Sequence, residues 1–498
     1  MARFELITAV SICLGASGMA SAGPWLEAGD RQVRQDVELL KTAGFIRGPL
    51  GAWPLPWMQV SRGLDAARAA PRGPHIEAAV RRLDALSQRA LQARRNEVRV
   101  KAATAPDVIR DFEDTARENG EVEFKTEIDS GRLTIALGGG YREGQDGTDF
   151  HLENSYAAYA AGNWALYAGY VQHWWGPGQD SAMLFSNNAR AIPQVGIKRL
   201  SPDPIDLPVL EWLGPFKFDA FAGILLEDRE ISGFDNPAIV GFRASFEPAE
   251  GLEIGLNRGL QLCGRDRPCG ASTIFDALFP FGDVENVEGF DQPGNQLGGF
   301  DISYRFIAGN IAANIYTEWE AEDEAGILLL DRFVRLFGVT VSGALGEQGA
   351  TWTGNIEYND TLLRGYLDAN RFLEEVDFPG SAYNNVVYRD GFTYREDILG
   401  ASIGGDSDLL TLRGSVTDRN NHRFYAAYRI ADVNKTDLSR AAIRSDNPER
   451  LHMLTAGAVI PTEFGDVSGE LRYQSDRLST PDESRGRFAA ELGWRTRF

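Results

Sequence analysis

Cysteine is scarce in this chain. There are three in 498 residues, and Cys13 falls in an N-terminal stretch with the marks of a secretory signal. Arg3 supplies its positive end, Leu6 to Ala16 its apolar run, and Ala20-Ser21-Ala22 a small-residue cleavage site. Ile12 is too bulky for the lipoprotein processing that Cys13 would otherwise suggest. Cleavage leaves Cys263 and Cys269, in LCGRDRPCG, which read as a local disulfide formed in an oxidising compartment. Histidine is scarce too: His75, His151, His173, His422 and His452 are the full set, and none sits at zinc-ligand spacing with a partner. There is no Walker loop. Neither a metal nor a cofactor is expected.

Long apolar runs are also missing. Mean hydropathy is −0.27 and 24 % of residues are charged, which does not fit a helical membrane protein. The best candidate for a spanning helix, residues 154–179, has no Asp, Glu, Lys or Arg, but Gly162-Asn163 and WWGPG break it. It reads instead as two strands, Phe150 to Ala161 and Trp164 to His173, joined by a Gly-Asn hairpin turn. Cationic charge is in deficit: a formal net charge of −21 argues against nucleic acid as a partner, because phosphate binding needs clustered Lys and Arg.

The charge is unevenly spread. Residues 23–120 hold 16 Lys and Arg against 13 Asp and Glu, a net of +3, so residues 121–498 carry −24. The first region has helical spacing. Asp30 can cap a helix whose face is Val33, Val37 and Leu40, with Gly44 as its stop. A second helix is expected from about Ile76 to Arg95, with Ile76, Val80 and Leu83 on one face, and a third, shorter one after Pro106. Between the first two, GPLGAWPLPW (48–57) excludes regular helix. Trp53 and Trp57 read as core packing.

The second region has period 2. At the C-terminus Phe488, Ala490, Leu492, Trp494, Thr496 and Phe498 form one face; Arg487, Glu491, Arg495 and Arg497 lie on the other. Phe300, Ile302, Tyr304 and Phe306 oppose Asp301, Ser303 and Arg305. Ile356 and Tyr358 oppose Asn355, Glu357 and Asn359, and Phe424, Ala426, Tyr428 and Ile430 oppose Arg423 and Arg429. In lipid every backbone polar group must be satisfied within the protein, so a spanning sheet has to close, with apolar residues outward and polar ones inward. Short turns at 162–163, 248–250, 308–309 and 462–465 alternate with longer segments at 174–194, 262–297 and 432–450. The fold expected is an all-β transmembrane antiparallel barrel of about eighteen strands. A small N-terminal α-helical segment precedes it on the periplasmic side of the Gram-negative outer membrane. The boundaries expected are a signal at 1–22, the helical segment at 23–122 and the barrel at 123–498. The terminal aromatic strand, with Trp494 and Phe498, resembles the signal read by the outer-membrane barrel assembly machinery. Outer-membrane lipid and lipopolysaccharide would surround the wall.

Little points to catalysis. Glu374-Glu375 are adjacent in sequence, which does not supply the two-carboxylate geometry of a glycosidase. The acidic run EWEAEDEAG, 318–326, reads as a solvated loop. No enzyme is expected.

The mature N-terminus, PWLEAGDRQVRQDVELLKTAGFI with GAWPLPW after it, resembles the start of Wzi-type capsule assembly proteins. HWWGPGQDSAMLFSNNARAIPQVGIKR (173–199) and YREDILGASIGGD (394–406) do so as well, and in the same order. The one departure is at Glu396-Asp397, acidic where the pattern implies a nearby glycine. The resemblance implies a monomeric outer-membrane barrel with a helical bundle at its periplasmic end and a lectin-like role in attaching capsular or extracellular polysaccharide. Sugar-binding candidates in the 174–194 segment are Trp174, Trp175, Gln179, Asp180, Asn187, Asn188 and Arg190, set against a purely structural use of the same Gly/Pro-rich kink. The alternative function is a diffusion channel or polysaccharide-export pore; a plugged lumen would argue against it.

Overall fold

The computed structural model describes residues 25–498 except 71, 145–146, 205–207, 209–210, 279–293, 323–331, 366–374, 477 and 479–487. The expected signal at 1–22 lies outside the described residues. Eighteen antiparallel strands form a closed barrel. In chain order they are β1 (Arg94–Ala103), β2 (Gly120–Asp129), β3 (Leu133–Gly144), β4 (Tyr156–Ala161), β5 (Trp164–Tyr170), β6 (Pro193–Arg199), β7 (Phe216–Ile224), β8 (Ala238–Ala249) and β9 (Leu252–Leu262). There follow β10 (Gly294–Ala308), β11 (Ile311–Glu322), β12 (Arg332–Leu345), β13 (Ala350–Gly365), β14 (Asp408–Thr417), β15 (Arg423–Val433), β16 (Glu449–Thr462), β17 (Gly465–Gln474) and β18 (Phe488–Arg497). The seam closes where β18 pairs with β1, Leu492 opposite Ala102 and Trp494 opposite Val100.

The alternation seen in the sequence sets the two faces. Ile356 and Tyr358 on β13 are 56 % and 37 % exposed, while Asn355 and Glu357 between them are 6 % and 0 % exposed. The outward residues make an apolar belt and the inward ones a polar lining. Consecutive strands join by short turns at one end, as at 162–163, where Gly162 sits at φ +60°, and at 309–310 and 463–464. Longer connections occupy the other end; 200–215, between β6 and β7, is the long connection at the short-turn end. Both chain ends of the wall, Arg94 and Arg497, lie at the short-turn end.

The barrel begins at Arg94, not at 123. Residues 94–95, expected to end a helix, instead start β1, and β2 follows, so two of the eighteen strands precede Arg132. Helix α1 (Arg31–Thr42) behaves as expected: the Asp30 carboxylate accepts from the Val33 amide at 3.1 Å, Val37 and Leu40 are fully buried, and Gly44 leaves the helix at φ +81°. Helix α2 (Trp57–Ala69) is additional, burying Val60, Leu64 and Ala67, and α3 (Pro74–Ala90) is shorter than expected. No helix follows Pro106: residues 104–119 fold inward as irregular chain pinned by Arg110, whose guanidinium donates to the Thr115 and Ala116 carbonyls at 2.9 and 3.0 Å. The acidic run is not a loop at its start either. Glu318, Glu320 and Glu322 are on β11, point into the lumen and are buried, because β11 continues to Glu322; 323–326 lie outside the described residues. A further helix, α4 (Ala271–Leu278), lies in the long connection after β9, where the expected Cys263–Cys269 disulfide is formed.

Candidate functional site

Among the described residues, most of the lumen is taken up by α1 to α3 with 48–57, the segment 104–119 and the segment 171–192. Trp174-Trp175 pair with Ala52-Trp53 as a two-residue antiparallel ladder, so the two tryptophan motifs meet each other inside the barrel. The Gly176 amide donates to the Gly51 carbonyl at 2.8 Å, and the Trp174 indole to the Gly178 carbonyl at 3.1 Å. A Cβ on Gly176 would sit 2.2 Å from a Glu318 carboxylate oxygen, and one on Gly178 2.1 Å from the Ser181 carbonyl, so close approach demands both glycines. Trp53 and Trp57 are buried among helix side chains, and Arg34 lies over Phe112 at 4.6 Å.

Asp180 and Asp111 sit at the centre. Arg31 from α1, Arg413 from β14 and Arg429 from β15 converge on them, with Arg31–Asp111 at 2.9 Å, Arg413–Asp180 at 2.6 Å and Arg429–Asp111 at 2.6 Å. Burial pushes both carboxyls up, but the three guanidiniums outweigh it and hold them below the usual carboxylate range. On β13, the strand next to β14, the Glu357 carboxylate accepts from the Gln179, Asp180 and Ser181 amides at 2.6, 3.1 and 2.9 Å. This cluster staples plug to wall.

All seven expected sugar-binding residues lie in the 171–192 segment of this plug, and six are enclosed by it. Trp174, Trp175, Gln179, Asp180, Asn187 and Asn188 are all buried, and their polar atoms brace the interior. Gln179 donates to Glu38 at 2.9 Å, Asn187 to the Phe112 carbonyl at 3.1 Å and Asn188 to the Ile398 carbonyl at 2.8 Å. As they stand they offer no face to a polymer outside. Arg190 is different: it reaches Asp149 and Glu153, each at 2.5 Å, at the rim of the long-connection end.

That end is capped by the connections 225–237, 378–407 and 434–448. Among them is a hairpin, Thr393-Tyr394 paired with Asp397-Ile398, turned by Arg395 and Glu396. Both turn residues have left-handed backbone, φ +50° and +68°, and both side chains are exposed. A two-residue turn of this hand favours glycine, and a non-glycine residue there costs about 1–2 kcal/mol. The position where the sequence departs from its expected glycine is therefore a strained turn occupied by a cation and an anion. Glu227 accepts from the Arg395 amide, and the Arg395 guanidinium stands 3.6 Å from Asp149, which it shares with Arg190. Arg444 lies 3.3 Å from Asp397 and donates to the Asn188 side-chain oxygen at 3.1 Å, linking cap to plug. Glu153 beneath Arg190 feels burial, but Arg142, Arg117 and Arg190 hold its carboxyl far below the usual range.

Within 394–406, Gly400-Ala401-Ser402-Ile403-Gly404 has the G-x-S-x-G spacing of a nucleophile elbow. Its setting is not one: the residues are loop, without the strand–turn–helix frame, and the buried Ser402 hydroxyl donates to the Arg110 carbonyl at 2.8 Å.

A closed wall with an apolar belt, a polar lining and a packed interior defines an occluded outer-membrane β-barrel. Residues 90–491 match the family model of the capsule assembly protein Wzi, and the chain belongs to that family. It is 25 % identical over 487 residues to an uncharacterised 55.8 kDa protein in the cps region of Klebsiella pneumoniae, covering 96 % of this chain and 89 % of that one. The fold is similar to that of Wzi from Escherichia coli, described as an outer-membrane protein involved in group 1 capsule assembly and as a carbohydrate-binding β-barrel. The TM-score is 0.80 at 22 % identity, over 95 % of this chain and 99 % of that one.

Proposed function

We propose that this chain is a binding barrel without catalytic activity that attaches capsular or extracellular polysaccharide at the cell surface. In this reading the helices face the periplasm and the 393–398 hairpin faces outward. The observation that carries it is the strained, exposed Arg395–Glu396 tip, with Arg190 and Arg444 beside it on a mouth closed by packed chain. Strain kept at an exposed turn points to a use for the side chains held there. Arg and carboxylate groups on such a tip can bond sugar hydroxyls and acidic substituents. The buried Trp174, Trp175, Gln179, Asp180, Asn187 and Asn188 then support the face from below. Although residues 121–498 carry −24, a polymer at the tip responds to the nearby guanidiniums, since screening acts over about 8 Å at physiological salt. A monomer surrounded by lipid and lipopolysaccharide, delivered by a cleaved signal and assembled through the β18 terminus with Trp494 and Phe498, completes the proposal.

The test is the partition of surface polymer between cells and medium in the native host. Deletion should leave synthesis intact and shift polymer into the medium, and Arg395→Glu should reproduce much of that shift at normal barrel levels. An unchanged partition with reduced uptake of small solutes would overturn the reading in favour of a channel.

A further inference from the structure

At the short-turn end the plug does not meet the whole wall. Between α1, α3 and the inner faces of β16, β17, β18 and β1 lies a crevice of about 480 Å³. A second, of about 220 Å³, adjoins it around the end of α3 and the C-terminus, and the two share Leu86, Arg89 and Arg497. Both sizes together suit a small ligand.

The lining combines cations with apolar surface. Arg99, Arg495 and Arg497 converge on Glu97, with Arg495 at 2.8 Å and Arg497 at 2.9 Å, and Arg99 also pairs with Asp114 at 2.9 Å. Beyond Glu97, Arg495 and Arg497 reach Asp30 only at 3.5 and 3.6 Å. Arg89 is exposed on α3 and makes no ion pair or side-chain hydrogen bond among the described residues. Leu86, with Leu26 in the adjoining crevice, adds apolar surface. Lys and Arg outnumber Asp and Glu in this lining, and an unpaired guanidinium beside apolar surface is what an acidic sugar requires: forked donors for its carboxylate and apolar contact for its C–H face. Lipid phosphates are on the wrong side of the wall, because Arg495 and Arg497 lie on the lumen face of β18.

We propose that this crevice is a second saccharide site, which takes a carboxylate-bearing unit of the polymer at the end of the barrel opposite the hairpin. That the carboxylate belongs to a sugar rests on the polysaccharide reading above; the anion chemistry does not.

The full-length protein in detergent would be titrated calorimetrically with trigalacturonate, and with maltotriose, inorganic phosphate and a poly-glutamate peptide as comparisons. Two variants probe the crevice. Arg89→Glu reverses an exposed, unpaired charge; Ala85→Trp fills the space without changing charge. Each should weaken trigalacturonate at least tenfold, with affinity falling as salt rises, while Arg395→Glu leaves that component in place. Loss with Arg395→Glu and none with either crevice variant would overturn the crevice and leave the outer face standing. Phosphate bound as tightly as trigalacturonate would reduce the site to a small-anion site, and preference for poly-glutamate would make it a protein contact; either overturns the proposal. No binding by the wild type overturns it as well, whereas the outer-face reading is decided separately by the polymer partition.

Discussion

The wall and the plug of this barrel are held by different forces. The wall strands are joined to their neighbours by backbone hydrogen bonds, Thr351 to Asp360 opposite Thr417 to Asp408 without a break and others with a single register shift, as at Phe246/Ala249 and Phe333/Arg335. The plug has almost no such ladder. It is held by side chains that cross from distant parts of the chain: Arg31 to Asp111, Arg413 to Asp180, Glu357 to three successive amides. Backbone ladders do not titrate and tolerate side-chain change; a buried ionic network titrates and does not tolerate it. The two parts should therefore fail under different stresses.

Acid should separate them most widely. Asp111, Asp180 and Glu153 all have folded-state values held below the usual carboxylate range by facing guanidiniums, so they bind fewer protons folded than unfolded. Their contribution is full above the unfolded value of about 4 and is lost as pH falls below it towards the folded values. Between pH 7 and 5 amide exchange in 104–119 and 171–192 should stay slow. Below about pH 4 it should accelerate, while the strands stay protected and the barrel keeps its heat-modifiable gel mobility. Wall and plug exchanging together would show that they are one cooperative unit.

Next in size is Asp180→Ala, which leaves Arg413 with Asp111, and Arg31 and Arg429 with Asp111 and the more distant Glu113 and Asp107. Removing one partner of a buried ionic cluster costs about 3–5 kcal/mol. Wild-type single-channel conductance should be near background; the variant should show gated openings with the wall intact. A variant as silent as wild type would mean that the remaining contacts suffice to seal the lumen.

The smallest effect on stability is expected at the hairpin. Replacing Arg395 and Glu396 together by glycine relieves left-handed strain of about 1 kcal/mol per residue and should slow exchange in 393–398 slightly, while polymer retention falls. Retention at the wild-type level would show that the tip's side chains are not the binding groups.

The wall was legible because its cause is local. An apolar outer face and a polar lumen impose period 2 on the strands, and the stretch from Phe488 to Phe498 displays it openly. Even β1 carried the signal: Val98 and Val100 alternate with Glu97, Arg99 and Lys101. It was obscured by Arg94 and Arg95, which suit a helix C-terminus as well as a strand start. Helix α2 was hidden behind the prolines before it, although Val60, Leu64 and Ala67 have helical spacing. The plug was not legible, because no pattern along the chain says that Trp174 will pair with Trp53. For the same reason, aromatic and amide side chains that suit a sugar turned out to be internal struts. The hairpin tip left one trace, a charged residue where a glycine was expected.

The small ladder between Trp174-Trp175 and Ala52-Trp53 bears on the order of assembly. One of its strands comes from the beginning of the chain and the other from a connection between two wall strands, β5 and β6. Such a stopper cannot be pushed in once the cask is hooped. The wall has to be raised around contents already gripping its staves, so the seam between first and last strands is the step that locks the interior. A chain whose N-terminal helices arrive late would close around a gap.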